Sequence, residues 1–203
     1  MENDRTEKLR LIKDEVLALK SSPLYEERVA SDVFPVIGEG DHYTSIMFIG
    51  EAPGKNEART GRPFCGAAGK VLDKLLASAG IERKSVYITN IVKDRPPGNR
   101  DPLPEEIECY APFLDRQIEI IQPEVIATLG RFSMDYIMRK FFLDQEIETI
   151  SRMHGKEYDA KAPYGSVKIL PLYHPAVAIY DRSKFGELEE DFKKLSKYIK
   201  EGK

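Results

Sequence analysis

Cysteine is scarce: 203 residues carry two, Cys65 and Cys109. Two cannot build the disulfide framework of a small secreted fold, and without a Cys-x-x-Cys pair the usual zinc and iron–sulfur spacings are missing. Both are expected to be buried thiols. Charge of one sign is scarce too, with 31 basic against 34 acidic residues and a net charge of −3. No global field therefore favours nucleic acid, and any such contact must be local. The opening MENDRTEKLRLIKDEVLALK is charged and helical in period, and it lacks the apolar core and small-residue cleavage site of a signal peptide. A cytoplasmic protein with no membrane partner is the expectation. No internal repeat is present.

Nucleotide and hydrolase signatures are absent as well. GEAPGK has three residues between Gly50 and Gly54 where a phosphate-binding loop has four, and Asn56 stands where Ser or Thr would hold magnesium. There is no G-x-G-x-x-G for a dinucleotide and no G-x-S-x-G nucleophile elbow. The carboxylates, histidines and cysteines lack metal-ligand spacing, so no metal site is expected.

What is present is an alternation. Runs rich in β-branched and apolar residues at TSIMFIG (44–50), SVYITNIV (85–92), EVIATLG (124–130) and SVKILPLY (166–173) predict four strands buried on both faces. Helical periods cover 5–20, 66–79 and 104–121, another begins near Arg131, and a last spans 183–200. Pro104 suits a first helical turn, and Glu105 and Glu106 favour the positive end of the dipole. This order implies right-handed βαβ crossovers and a mostly parallel sheet covered on both sides, in one domain over 1–203.

In such sheets ligands bind beyond the carboxyl ends of the strands. Glu51 follows the first strand, Asn90 closes the second, Arg131 follows the third and His174 the fourth. Singly, Glu51 also reads as a turn cap, Asn90 as a turn closer and His174 as a satisfied histidine before proline. Jointly they put a carboxylate, an amide and an imidazole on one edge. Pro53 and Gly54 add a rigid turn without large side chains, which leaves room for a ligand against the backbone. His42 and His154 fall in polar loops and take no role.

Four stretches, GEAPGKNEARTGRPFCGAAG, YITNIVKDRPPGNRDPLPEEI, PFLDRQIEIIQPEVIATLG and LYHPA, resemble the successive motifs of the family 4 uracil-DNA glycosylases, over about residues 15–198. The resemblance implies a three-layer α/β/α sandwich with a central four-stranded parallel sheet. It implies an enzyme of base excision repair that flips uracil out of DNA and hydrolyses its N-glycosidic bond, leaving an abasic site. Uracil-containing DNA would be the partner, and a monomer is expected.

Carried over by position, the resemblance makes Glu51 the carboxylate that orients the attacking water or stabilises the sugar cation. Glu57 would lie near C5 of the base and disfavour thymine, Phe64 would stack on the base, Asn90 would read its polar edge, and His174 would donate to O2. An amide offers donor and acceptor together, matching O4 and N3–H of uracil but not the reversed pair of cytosine. Helix starts at Gly66 and at Arg131 and Ser133 are candidate phosphate contacts, as are Arg182 and Lys184. Val177, Ile179 and Tyr180 are candidate wedges into the base stack.

One departure stands out. The family usually holds an iron–sulfur cluster on four cysteines, whose positions here read Leu19, Ser22, Asp94 and Tyr110. None supplies a thiolate, so a cluster-free protein is expected, with Asp94 ion-paired to a nearby arginine in its place. The same loss opens two alternatives: a glycosylase for another deaminated base, hypoxanthine or xanthine, and a non-catalytic uracil-DNA-binding module.

Overall fold

Strands that are apolar at every position must be covered on both sides, and the sheet meets that demand. The computed structural model describes residues 3–199. Its strands are β1 (Glu39–Gly40), β2 (Ile46–Gly50), β3 (Tyr87–Asn90), β4 (Val125–Leu129), β5 (Tyr158–Ala162) and β6 (Gly165–Leu172). They lie in the order β1-β3-β2-β4-β6-β5. The central β3-β2-β4-β6 block is parallel, as expected, while β1 and β5 add antiparallel edges. Every residue of β2, β3 and β4 is buried.

The edge strands escaped the apolar-run criterion because edges need little burial. β1 is two residues long. YDAKA of β5 buries Ala160 and leaves Asp159 and Lys161 exposed, charges that discourage pairing with another chain.

Around the sheet run α1 (Asn3–Leu17), α2 (Tyr25–Ala30), α3 (Lys55–Thr60), α4 (Ala67–Ser78), α5 (Pro104–Ile121), α6 (Arg131–Lys140), α7 (Ile150–Met153), α8 (Val177–Tyr180) and α9 (Lys184–Lys193). The period of two sorts the core into two layers. Met47, Ile49, Ile126 and Ile169 face the layer built by α1, α5 and α6. Ile46, Phe48, Val125 and Leu170 face that of α4 and α9, where Phe48 stacks on Phe192 with ring centroids 5.7 Å apart.

Several expectations are corrected. The first helix ends at Leu17 rather than residue 20, because the Arg28 guanidinium takes the carbonyls of Val16 and Leu17 at 3.1 and 3.0 Å. The last ends at Lys193 and tightens into a 3₁₀ segment, Lys194–Tyr198; Lys200 lies outside the described residues, as do both extremes of the 1–203 domain. Cys65 and Cys109 are each partly exposed rather than buried. His154 is engaged: its Nδ1 lies 2.6 Å from an oxygen of buried Asp191, and its ring centroid 4.3 Å from that of Tyr173. Among the described residues no helix is long and apolar enough to cross a membrane.

Candidate active site

The site begins where β2 and β3 end side by side. Gly50 pairs with Asn90 in register, and the ladder continues past both strands as Ile91 N–H donates to the Gly50 carbonyl and Val92 N–H to that of Glu51, each at 3.0 Å. Glu51 is thereby tied beside Asn90. On the other side of β2, Gly130 N–H donates to the Leu172 carbonyl at 2.9 Å, which aligns the ends of β4 and β6 and brings His174 to the same edge. Between these ends opens a cleft of about 450 Å³ whose walls include Glu51, Glu57, Phe64, Asn90 and His174. All five base- and sugar-directed residues singled out in the sequence therefore share one cavity.

Glu51 is half-buried, and no donor reaches its carboxylate among the described residues. Burial, with help from the charge of Asp101, pushes its pKa up to about 7, against the pull of Arg131. A carboxylate poised there suits proton transfer to and from water near neutral pH.

His174 has the opposite shift. Burial draws its pKa down to about 4, with the Glu57 charge opposing. The imidazole is therefore neutral at pH 7. Ala176 N–H donates to Nδ1 at 3.1 Å, which puts the ring proton on Nε2 and makes that nitrogen a donor. The chain reverses at Pro175 into the short helix α8, and this turn supplies the Ala176 amide that selects the tautomer.

Asn90 is 1 % exposed, and among the described residues its Oδ1 has no hydrogen-bond partner. A buried acceptor left open costs free energy unless a ligand fills it. Phe64 holds a left-handed backbone with φ of 47° and lies 5.7 Å from the His174 ring, centroid to centroid. Its loop is pinned by Glu57, whose Oε1 accepts from the N–H groups of Cys65 and Gly66 at 2.9 and 2.8 Å. Glu57 thus anchors the turn that carries Phe64 as well as lining the cleft. A Cβ at Gly69 would overlap the Phe64 carbonyl, so the first turn of α4 also depends on glycine.

Of the candidate phosphate contacts, none is among the cleft's lining residues. Arg131 lies at the rim, exposed, with its guanidinium 2.6 Å from an oxygen of Asp101 and stacked 4.5 Å from the Phe132 ring centroid. Arg182 is exposed between α8 and α9, and Lys184 pairs with Glu187 at 2.8 Å. Ser133 departs from expectation. It is fully buried and its hydroxyl donates to the Gly130 carbonyl at 3.2 Å, which stabilises the start of α6 and removes it from the surface.

Sequence reasoning missed the rim formed by Pro96, Asn99, Arg100 and Asp101. Arg100 grips buried Glu106 through two bonds of 2.9 and 2.5 Å, and Glu106 also accepts from Leu103 N–H at 2.8 Å. A glutamate at the third position of a helix that begins with proline was the available signal.

The four positions of the family's cluster hold a different structure. Tyr110 Oη donates to Asp94 at 2.5 Å, the Ser22 hydroxyl donates to Tyr110 at 2.5 Å, and Arg28 donates to Asp94 at 3.1 Å. The arginine partner anticipated for Asp94 is Arg28. Leu19 packs against the adjoining core. A cluster requires thiolate ligands, and this donor set of hydroxyl, phenol and carboxylate, closed by a guanidinium, does not fit one.

Residues 37–200 match the family model described as the uracil DNA glycosylase superfamily. The type-4 uracil-DNA glycosylase of Sulfurisphaera tokodaii is 46 % identical over 92 % of this chain and 83 % of that protein. That of Archaeoglobus fulgidus is 49 % identical over 79 % of each chain, and that of Thermotoga maritima 40 % over 97 % of each. With the strand-end cleft, these similarities establish that the chain belongs to the uracil-DNA glycosylase superfamily, among its type-4 members.

Proposed function

We propose that this protein is a monofunctional uracil-DNA glycosylase that extrudes uracil from DNA and hydrolyses its N-glycosidic bond. The observation that carries the reading is the convergence of Glu51, Asn90 and neutral His174 on one base-sized cleft. A base within a duplex is out of reach, so it is flipped into the cleft and stacked on Phe64. Asn90 accepts from N3–H through its open Oδ1 and donates to O4 through its amide nitrogen. Cytosine presents the reversed pair and leaves both groups unpaired, which is the basis of discrimination. As the bond lengthens, negative charge gathers on the base and positive charge on the sugar. The Nε2 proton of His174 meets the charge at O2, a preorganised donor worth about 100- to 1000-fold in rate. Ionised Glu51 faces the sugar, where it stabilises the cation and takes a proton from the attacking water.

Exposed Arg131 and Arg182 and partly exposed Lys184 contact phosphates on either side, and Tyr180, 89 % exposed at the end of α8, is the foremost wedge. Ser22, Asp94 and Tyr110 support a protein without an iron–sulfur cluster; purified material is expected to be colourless, and a visible cluster band would refute this. The reading also takes the protein to be a cytoplasmic monomer, the second point open to sedimentation analysis.

Excision from a labelled oligonucleotide carrying one uracil, followed by hot alkali, tests the function. Cleavage at uracil that disappears in Glu51→Ala supports it. Cleavage only at hypoxanthine or xanthine would move the protein to another specificity, and binding without cleavage would make it a DNA-binding module.

A further inference from the structure

Behind Asn90 the protein buries a lysine. Lys93 is fully buried, and its Nζ lies 2.7 Å from the Asn90 carbonyl, 2.9 Å from Thr89 Oγ1 and 2.7 Å from Gln117 Oε1. Among the described residues no carboxylate pairs with it. An ammonium without a counterion is costly to bury, and burial draws its pKa down to about 7. Methionine would fill the same volume without that cost.

The partners are arranged for a donor. Both amide protons of Gln117 are committed, to the Ile37 carbonyl at 2.9 Å and to Tyr87 Oη at 3.1 Å, so its oxygen faces Lys93. The Thr89 hydroxyl donates to the Ile37 carbonyl at 2.6 Å, so its lone pairs also face the lysine. Three acceptors thus converge on three ammonium protons. Two of them, Thr89 and Asn90, are the last residues of β3. Among the described residues the Asn90 side-chain oxygen has no partner of its own, so the amide is aimed through its backbone and its packing, and the Asn90 peptide is what Lys93 grips.

We propose that Lys93 is a positioning residue for base reading, holding the Asn90 peptide from the core side so that the unpaired amide meets the extruded base. The inference rests on the reading that Asn90 recognises uracil. Lys93 touches no substrate. Its contribution is orientation, and misplacement of a recognition group by about 1 Å can cost on the order of 100-fold.

The test compares the affinity of parent protein and Lys93→Met for two single-stranded oligonucleotides, one carrying uncleavable 2′-fluoro-2′-deoxyuridine and one a tetrahydrofuran abasic analogue. The parent should prefer the uridine, and that preference should fall by about tenfold or more in Lys93→Met while abasic-analogue binding is unchanged. A merely structural role would weaken both affinities together. Equal preference in parent and variant overturns the inference, and so does a parallel loss on both oligonucleotides. A parent that neither prefers nor cleaves uridine overturns instead the functional reading on which it rests. Should Lys93→Met fail to fold by circular dichroism, Lys93→Gln, which keeps two of the three donor protons, is read by the same ratio: any loss supports the role, and an undiminished ratio overturns it.

Discussion

Gly50 and Asn90 face each other across β2 and β3, and a Cβ placed on Gly50 would overlap the Asn90 side-chain oxygen and stand 2.7 Å from Phe64 Cζ. The missing side chain at this strand end is what leaves room for an amide and an aromatic ring side by side on the wall of the cleft. Conformational freedom is not the reason for this glycine, since space is the quantity it supplies.

Gly50→Ala should therefore disable the site more than the fold. Overpacking of this kind costs about 1–3 kcal/mol in stability, whereas displacement of Asn90 and Phe64 is expected to lower kcat/KM on uracil by at least about 100-fold. Thermal melts beside single-turnover excision separate the two; normal kinetics would show that the cleft tolerates the methyl.

The raised pKa of Glu51, about 7, sets a pH dependence for excision. Activity should rise with pH through a midpoint near that value as the carboxylate forms. Burial is the main cause of the shift and Asp101 the second, so Asp101→Asn should move the midpoint toward acid. A midpoint that stays in place would discount the Asp101 charge.

Glu51 also carries a stability consequence of definite sign. Because the folded protein holds this proton more tightly than the unfolded chain, the stabilisation is present below the ordinary glutamate pKa and is lost as pH rises through about 7. Glu51→Gln should accordingly melt above the parent at pH 8 and with it at pH 4, while excising no uracil. A lower melting temperature at pH 8 would contradict the burial cost.

His174, with a pKa near 4, should stay neutral from pH 5.5 upward and contribute no limb to the profile in that range. Nitrogen NMR should find the proton on Nε2, and His174→Ala should lower kcat by about 100- to 1000-fold. An imidazolium signal at pH 7 would exclude the neutral-donor role.

The Arg28–Asp94 pair is buried on both sides, at 7 % and 2 % side-chain exposure. Asp94→Ala would leave a buried guanidinium unpaired, an expected loss of about 3–5 kcal/mol, whereas Arg28→Met with Asp94→Leu should lose less. Urea denaturation of the three proteins measures the difference, and equal losses would mean that the pair itself, rather than its uncompensated half, is what the fold requires.

Much of this was legible in one dimension. Short apolar runs report burial on two faces, so the four central strands could be read directly, and the residues just beyond them had to gather at one edge of a parallel sheet. β1 and β5 were not legible, because edge strands need neither length nor a hydrophobic face. Ser133 was misplaced because sequence locates a helix start without saying which way a side chain at its third position turns.

By itself, then, the sequence determined the order of the four central strands and the longer helices, the motif residues Glu51, Glu57, Phe64, Asn90 and His174, and the lack of thiolates at the four cluster positions. These follow from local pattern and residue chemistry. Only the tertiary structure decided that Arg28 closes on Asp94 across 66 residues, that Glu57 pins the Phe64 turn, that Lys93 stands behind Asn90, and that Glu51 and His174 shift in opposite directions. Burial and the identity of a contact partner arise from the whole packed chain, and burial disfavours charge, raising a carboxylate's pKa and lowering an imidazole's.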